Sequence, residues 1–303
     1  MAERIYVGTE SGLWVLEGET SRPVEAFAAR AVTALAFGAR TLWALVDGSA
    51  LWEFNGDRWT ARATIDDLPA TCVAPTPDGV LVGTEQAHLL RLDRSGLARV
   101  ETFETVDGRE AWYTPWGDPA DVRSIAVARD GALHVNVHVG GVVRSRDGGV
   151  SWTPTVDIEQ DVHQVLAHPS RSDVVLVASA EGFGVSRDGG DSWTFETAGL
   201  HAHYARAVAV ADDWVLVSVS TGPRGRRAAM YRRPVDDAAG FQRCRTGLPE
   251  WFDDNVDTGC LTAAGRFVVC GTTDGRVYRS TDAGSRWELV LKGLPAIRWL
   301  AIA

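Results

Sequence analysis

The stretch SRDGGVSW at Ser145–Trp152 decides the fold, because it returns as SRDGGDSW at Ser186–Trp193 and as STDAGSRW at Ser280–Trp287. A shortened relative, FNGDRW, lies at Phe54–Trp59. In each copy an Asp can accept backbone N–H groups of a tight turn, a Gly permits left-handed torsion angles, and a Trp can pack over the hairpin. Turn chemistry accounts for every fixed position, so these segments are predicted to build the fold and not to bind a ligand.

A longer repeat surrounds these turns. Two short strands joined by a turn recur in seven units, at Ile5–Leu16, Thr41–Phe54, Val80–Leu92, Ala132–Ser145, Val174–Ser186, Trp214–Tyr231 and Arg266–Ser280. An apolar run precedes each unit and a shorter strand follows it. Four short strands in about 40–50 residues are typical of a β-propeller blade. The sequence therefore predicts an all-β fold, a seven-bladed β-propeller.

The two chain ends predict how this propeller closes. The segment IRWLAI at Ile297–Ile302 has the pattern of an inner strand but lacks the three strands that should follow it, and the N-terminal segment supplies three strands without an inner one. Pairing of N- and C-terminal strands in one blade would remove exposed sheet edges. Residues 1–303 are therefore predicted to form a single propeller domain.

The three turns match the pattern S-x-D-x-G-x-x-W, and the chain therefore resembles the BNR or Asp-box repeat propellers. This group includes sialidases, some endoglucanase propellers and propellers similar to photosystem II assembly factors. The resemblance covers essentially the whole chain and implies the fold. Sialidases add a Phe/Tyr-Arg-Ile-Pro motif and have six blades, whereas the nearest Arg-Pro here lies in SRPV at Ser21–Val24. Sialidase activity is not carried over, because fold does not imply function.

Charge and composition exclude several classes of partner. The formal net charge is −10, and a surface that binds nucleic acid or an anionic membrane needs clustered positive charge. The segment Met1–Thr9 lacks the basic start and apolar run of a signal peptide, which predicts a cytoplasmic protein. The four cysteines show no CxxC spacing and are predicted to be buried. We expect a monomer that binds neither nucleic acid nor a membrane.

Loop lengths predict which end of the blades carries the function. The Asp-box segments join the third strand of a blade to the fourth, at the same end as the short turns between first and second strands. The other end receives the long connections, at Glu104–Asp121, Thr197–Tyr204, Ser220–Ala228 and Arg245–Asn255. Loops of this length in a compact repeat protein are more often functional than idle. Their aromatic residues, such as Trp116, are as consistent with packing of the loop as with ligand contact.

The starts of the inner strands place polar residues in one register. The third residue of each strand start is polar. In the segments DVRS, DVHQ, YARA, NVDT and AIRW it is Arg123, His163, Arg206, Asp257 and Arg298, respectively. Asn136 and His138 are expected to approach the same place from the second strand of their blade. Such a partial ring at the mouth of the central channel is either a hydrated structural ring or a site for a polar or anionic ligand. Convergence of arginine, histidine and carboxylate favours the site.

Two chemistries fit this ring. In the first, a divalent metal such as Zn²⁺ is held by His138, His163 and His203, with Asp257 as base or fourth ligand. In the second, a carboxylate or phosphate is held by arginine forks, with His163 and Asp257 as acid and base. The candidate catalytic residues are His163, Asp257 and Tyr204. The candidate ligand-binding residues are Arg123, Arg206, Arg298, Asn136, Trp116 and Asn255.

The sequence thus predicts a propeller that binds a small polar or anionic ligand, sugar derivatives included, at the end of the blades opposite the Asp boxes. Hydrolase or lyase chemistry is favoured over binding alone. The alternative is a non-catalytic scaffold that grips a protein partner with the same loops. A deep pocket in which His138, His163 and Asp257 face one another would favour chemistry, whereas a flat face with protruding Trp116 and Trp251 would favour a partner.

Overall fold

The computed structural model describes residues 3–237 and 239–303. The N-terminal expectation therefore lies partly outside the described residues, at Met1 and Ala2. The chain is a seven-bladed β-propeller of four-stranded antiparallel sheets, and the last strand of the chain pairs with the first. The predicted fold class is confirmed, including closure of the ring by pairing of the N- and C-terminal strands.

Blade 1 contains strands from both chain ends, and blades 2 and 3 follow it in chain order. Blade 1 holds β1 (Arg4–Thr9), β2 (Gly12–Glu17), β3 (Thr20–Pro23) and the C-terminal strand β28 (Ile297–Ile302). Blade 2 holds β4 (Val32–Phe37), β5 (Leu42–Val46), β6 (Ala50–Phe54) and β7 (Trp59–Thr64). Blade 3 holds β8 (Ala70–Thr76), β9 (Gly79–Thr84), β10 (Leu89–Asp93) and β11 (Gly96–Arg99).

The remaining four blades follow in chain order. Blade 4 holds β12 (Val122–Val127), β13 (Leu133–Val137), β14 (Gly141–Ser145) and β15 (Thr153–Pro154). Blade 5 holds β16 (Val162–Ala167), β17 (Val175–Ser179), β18 (Gly182–Ser186) and β19 (Thr194–Glu196). Blade 6 holds β20 (Tyr204–Ala211), β21 (Trp214–Ser220), β22 (Ala229–Pro234) and β23 (Gln242–Arg243). Blade 7 holds β24 (Leu261–Ala264), β25 (Phe267–Gly271), β26 (Val277–Ser280) and β27 (Glu288–Leu291).

Helical structure in the described part of the chain is confined to short 3-10 turns. These are Glu25–Phe27, Glu85–Ala87, Glu101–Thr105, Arg109–Ala111 and Ile158–Gln160. Among the same residues, no helix is long and apolar enough to cross a membrane. Two of the turns lie in the long connection between β11 and β12, which the sequence predicted to be a loop.

Contacts divide the chain into two compact units. Unit 1 comprises Met1–Thr33, Ala178–Phe183 and Phe195–Ala303, and unit 2 comprises Ala34–Val177 and Gly184–Thr194. The single domain expected from the sequence stays a prediction. Within unit 2, β8 packs on β12 and β12 on β16, and within unit 1 β20 packs on β24. Because these first strands contact one another from blade to blade, they are the inner strands of the fold.

Burial follows the order of the strands in a blade. Every residue of the second strands β5, β13, β17 and β25 is buried, and these strands are rich in Val, Leu and Ala, as expected of strands covered on both faces. The fourth strands are short and more exposed, as in β7 and β15. The buried cores of the blades therefore come from their first three strands.

A glycine near the end of a second strand lets neighbouring blades approach closely. A Cβ on Gly83 would lie 2.4 Å from Val122 Cγ1, and a Cβ on Gly271 would lie 2.7 Å from Ile297 Cγ2. Gly8 holds the same position in β1. The missing side chain accommodates the first residue of the next inner strand, where any larger residue would overpack the interface.

Candidate functional site

Three turns of the pattern Ser-x-Asp, at Ser145–Trp152, Ser186–Trp193 and Ser280–Trp287, join third and fourth strands of blades 4, 5 and 7. In the second turn, Asp188 Oδ1 accepts the backbone N–H groups of Asp191 and Ser192 at 3.0 and 2.9 Å. Hydrogen bonds from the side chain and backbone of Ser192 hold the pKa of Asp188 well below its usual range. The Asp carboxylates accept hydrogen bonds from backbone and serine groups of their own turns, as the sequence predicted.

An arginine on the third strand of the preceding blade binds each of these turns. Arg91 Nη2 donates to Gly148 O at 2.6 Å, Arg144 Nη1 to Gly189 O at 2.8 Å, and Arg232 Nη1 to Ala283 O at 3.0 Å. The three carbonyls occupy the same position of the motif. The turns therefore connect neighbouring blades as well as closing hairpins, and they have a structural role.

The three arginines of the predicted ring share a backbone feature. Arg123 lies at the register shift between β12 and β13, Arg206 at that between β20 and β21, and Arg298 at that between β28 and β1. A β-bulge leaves one residue unpaired in the ladder and re-aims its side chain, and bulges are frequent next to active sites. The equivalent strand position that the sequence predicted for these three arginines therefore corresponds to a β-bulge in each of their blades.

In unit 1, Arg206 contacts an acid and a tyrosine. Its Nε donates to Asp257 Oδ1 at 2.7 Å, and Nη1 lies 3.5 Å from Tyr204 Oη. Asp257 lies in the loop before β24, because that strand begins at Leu261 and not at Val256 as the sequence suggested. The carboxylate predicted to act as a base is therefore engaged as the ion-pair partner of Arg206.

The other predicted residues of unit 1 are dispersed. Arg298 forms an ion pair with Glu10 at the surface. Asn255 is buried, and its Nδ2 donates to two carbonyls of the loop Ser220–Ala228 at 3.4 and 3.3 Å. This contact fixes the loop. His203 is exposed.

In unit 2, two of the predicted histidines share one carboxylate. His138 Nε2 lies 3.4 Å from Asp161 Oδ1, and His163 Nε2 lies 3.5 Å from Asp161 Oδ2. Both imidazoles are buried. His138 lies in the turn after β13, Asp161 immediately before β16, and His163 at the start of β16. These three residues are called the His–Asp–His cluster. The distances are long for hydrogen bonds, and contacts of this kind often tighten when a ligand binds.

Backbone strain is concentrated at this cluster. Asp161 has φ 42° and Val139, next to His138, has φ 40°. A left-handed conformation is rare for a β-branched residue such as Val139. Strain of this kind costs about 1–3 kcal/mol per residue, persists where the surrounding structure imposes it, and is frequent at functional sites. The two strained residues hold His138 and the shared carboxylate in place.

Trp116 covers one side of the cluster. Its ring centroid lies 5.0 Å from that of His138, with the planes tilted by 47°, and 61% of the residue is exposed. It belongs to the long connection before β12, where Thr114 Oγ1 donates to Asp118 O at 2.6 Å. The loop thus presents an exposed indole beside a buried imidazole.

Two carboxyl groups near His138 have their pKa values displaced in opposite directions. Burial raises the pKa of Asp121. Burial would also raise the pKa of Asp161, but contacts from His138 and His163 outweigh it and hold that pKa well below its usual range. The backbone carbonyl of Asp121 accepts the backbone N–H of His138 at 2.8 Å, and its carboxylate Oδ1 accepts the backbone N–H of Gln86 at 3.2 Å. Two carboxyl groups whose environments displace their pKa values in opposite directions are an arrangement that acid–base catalysis uses.

Two other predictions find no support among the described residues: Asn136 as a ligand-binding residue and a metal site of three histidines. Asn136 is fully buried, and its Nδ2 lies 3.4 Å from Ser124 Oγ, a contact between strands and not toward a ligand. Across residues 3–237 and 239–303, no three His, Cys, Asp or Glu side chains are grouped so as to hold a metal ion. The ligand set His138, His163 and His203 therefore has no structural support, since the first two face a shared carboxylate.

Sequence reasoning missed Asp161 and Asp121 as site residues. Both precede an inner strand, in DVHQ and DVRS, and both were treated as the start of a register. The repeated Asp before the inner strands of blades 4 and 5 is the signal that could have found them. The pKa displacement of Asp121 depends on burial and that of Asp161 on its contacts with two histidines, and the sequence displays neither.

No family model matches the chain. The chain is 28% identical over 158 residues to the immune protein Tsi7 of Pseudomonas aeruginosa, a match that covers 52% of this chain and 46% of that protein. The chain thus spans about half the length of the curated relative it matches.

Solved propellers resemble the chain in fold. A GH74 xyloglucanase from Xanthomonas campestris has a TM-score of 0.63 at 17% identity, covering 95% of this chain and 46% of that one. An ancestral GH74 enzyme has a TM-score of 0.64 at 15% identity, covering 94% and 39%. The Pan2 WD40 domain of Neurospora crassa has a TM-score of 0.56 at 12% identity, covering 87% and 79%. At these identities the likeness establishes the fold alone.

Proposed function

We propose that this Asp-box propeller binds a small, polar, sugar-derived ligand against Trp116 and hydrolyses it at the His–Asp–His cluster. The observation that carries the proposal is the pair of buried imidazoles, His138 and His163, that share the Asp161 carboxylate beside the exposed ring of Trp116. Trp116 offers the flat apolar surface on which a sugar ring stacks. One fold neighbour is by name a xyloglucanase, an enzyme that acts on a sugar polymer, which supports a sugar-derived ligand.

Each residue has a role in the proposed reaction. Asp161 orients His138 through Nε2, which leaves Nδ1 as the acceptor, and His138 Nδ1 is a buried atom with no hydrogen-bond partner among the described residues. His138 would take a proton from water as the water oxygen bonds to the anomeric carbon. Asp121 would give a proton to the leaving oxygen as the glycosidic bond breaks, a role that burial favours because it raises the pKa of this carboxyl.

A panel of 4-nitrophenyl glycosides tests this proposal. The wild type should release 4-nitrophenol from at least one glycoside, and Asp161→Asn should slow release by about a hundredfold or more, the usual contribution of acid–base catalysis. Asp157→Asn is the matched control, because Asp157 caps the adjacent 3-10 turn through the Glu159 N–H at 2.9 Å and does not border the histidines. Equal rates for the two variants, or no release from any glycoside, would refute hydrolysis at this cluster.

The second candidate is a scaffold that binds a protein. Two exposed aromatic residues in one loop support it, Tyr113 at 42% and Trp116 at 61% exposure, together with the match to an immune protein. Exposed aromatic side chains are frequent anchors of protein interfaces. Under this alternative the variants Trp116→Ala and Tyr113→Ala would abolish partner binding, and Asp161→Asn would leave it unchanged.

A further inference from the structure

A cleft in unit 2, apart from the His–Asp–His cluster, gathers acceptor groups over an apolar floor. It holds about 690 Å³ of empty space, solvent at its mouth included, which is within the size range of small-molecule sites. Its apolar walls are Ile65, Leu68, Leu90 and Leu97. The adjacent acids Asp66 and Asp67, which the proposed function does not use, also line it.

His88 lines the cleft and is held in place by Glu104, which is in turn bound by Arg109. Its Nδ1 lies 2.9 Å from both oxygens of Glu104, and Arg109 Nη2 donates to Glu104 at 2.9 Å. Arg109 also donates to the carbonyl of Ala87 at 2.8 Å. In the tautomer whose Nδ1 proton is donated to Glu104, Nε2 of His88 is left as an acceptor. An orienting carboxylate behind a histidine is the arrangement used to hold a ring in one tautomer.

The charges at the cleft are unbalanced by one. Glu104 is balanced by Arg109, and Asp66 and Asp67 exceed the single positive charge of Arg99. In the part of the chain that the structure describes, Asp66, Asp67 and Arg99 form no ion pair. The cleft therefore has one uncompensated negative charge and a histidine acceptor, beside an apolar floor.

We propose that this cleft binds a primary amine with an apolar stem. The ammonium group, which has three donors and no acceptor, would lie between Asp66, Asp67 and His88 Nε2, and the stem would cover Leu90 and Leu97. A carboxylate ligand would be repelled by the negative charges of Asp66 and Asp67 and by the lone pair of His88 Nε2. The site is independent of the hydrolysis proposed above and shares no residue with it.

Titration with hexylamine, 1-hexanol and hexanoate, followed by NMR chemical shifts and calorimetry, tests the proposal. The amine should bind more tightly than the alcohol or the acid. The double variant Asp66→Asn/Asp67→Asn should weaken amine binding by about tenfold or more, because charge-assisted hydrogen bonds are lost. The control Asp57→Asn/Asp78→Asn removes two exposed carboxylates that do not line the cleft, and it should bind as the wild type does.

A second variant separates the role of His88 from that of charge. His88→Leu keeps the apolar bulk and removes the acceptor, so amine affinity should fall while the preference over hexanoate persists through Asp66 and Asp67. Tighter binding of hexanoate than of hexylamine would overturn the proposal. So would unchanged amine affinity in the Asp double variant, or absence of amine binding to the wild type.

Discussion

His134 is fully buried in β13, and neither of its ring nitrogens has a hydrogen-bond partner among residues 3–237 and 239–303. Burial, reinforced by the charge of Arg144, lowers the pKa of His134 to about 4. The folded protein therefore holds this imidazole neutral at pH values where the unfolded chain, with an ordinary pKa near 6.5, is protonated. At the scale of single residues, this histidine makes the fold sensitive to acid.

Removing His134 should make stability less dependent on pH. Between about pH 7 and about pH 5 the unfolded state gains a proton that the folded state does not, so the wild type should lose about 2 kcal/mol from this residue. His134→Leu should lack this loss, and it should be at least as stable at about pH 7, since an unpartnered polar ring is replaced by an apolar one. Urea unfolding at the two pH values measures both effects.

The matched control is His203→Leu, which removes an exposed imidazole. It should keep the pH dependence of the wild type. Parallel pH dependence of wild type and His134→Leu would contradict the assignment of a depressed pKa to His134.

At the scale of elements, the Ser-x-Asp turns were predictable and their arginine partners were not. The turn chemistry is local, because Asp188 bonds to N–H groups within its own hairpin. Arg144 binds the Gly189 carbonyl from the preceding blade. Only the packing of blades brings them together, and nothing in the sequence near the turn marks the arginine. The β-bulges at Arg123 and Arg206 were missed for the same reason, although their register was found.

Two arginines that share a partner test the structural role of these contacts. Arg144 Nη2 and Arg146 Nη2 lie 2.7 and 2.8 Å from Asp191, but the Arg144 side chain is 9% exposed and that of Arg146 is 54% exposed. Arg144→Ala should cost about 2–3 kcal/mol, because the partly buried hydrogen bond to the Gly189 carbonyl is lost as well. Arg146→Ala should cost less than about 0.5 kcal/mol, as is usual for exposed ion pairs. Equal losses in chemical unfolding would mean that the blade-to-blade contact contributes no stability.

At the scale of the whole molecule, the sequence was sufficient for the fold because the signal repeats. Seven copies of one pattern and two incomplete chain ends determine the blade count and the closure of blade 1 by β28 and β1. The proposed site repeats nowhere. Its proposed chemistry depends on Asp161 in a left-handed conformation and on burial of Asp121, and both are products of packing that no periodic pattern encodes. The sequence therefore named His138 and His163 as candidates, but not the two acids of the proposed site.

The most direct test of the central claim is which tryptophan responds to a ligand. In ¹H–¹⁵N NMR spectra, a glycoside that binds should shift the indole signal of Trp116, which Trp116→Phe identifies. The indole signals of Trp152, Trp193 and Trp287, which close the Ser-x-Asp turns, should stay in place. Binding that shifts these three signals and leaves Trp116 unchanged would contradict a site at the His–Asp–His cluster.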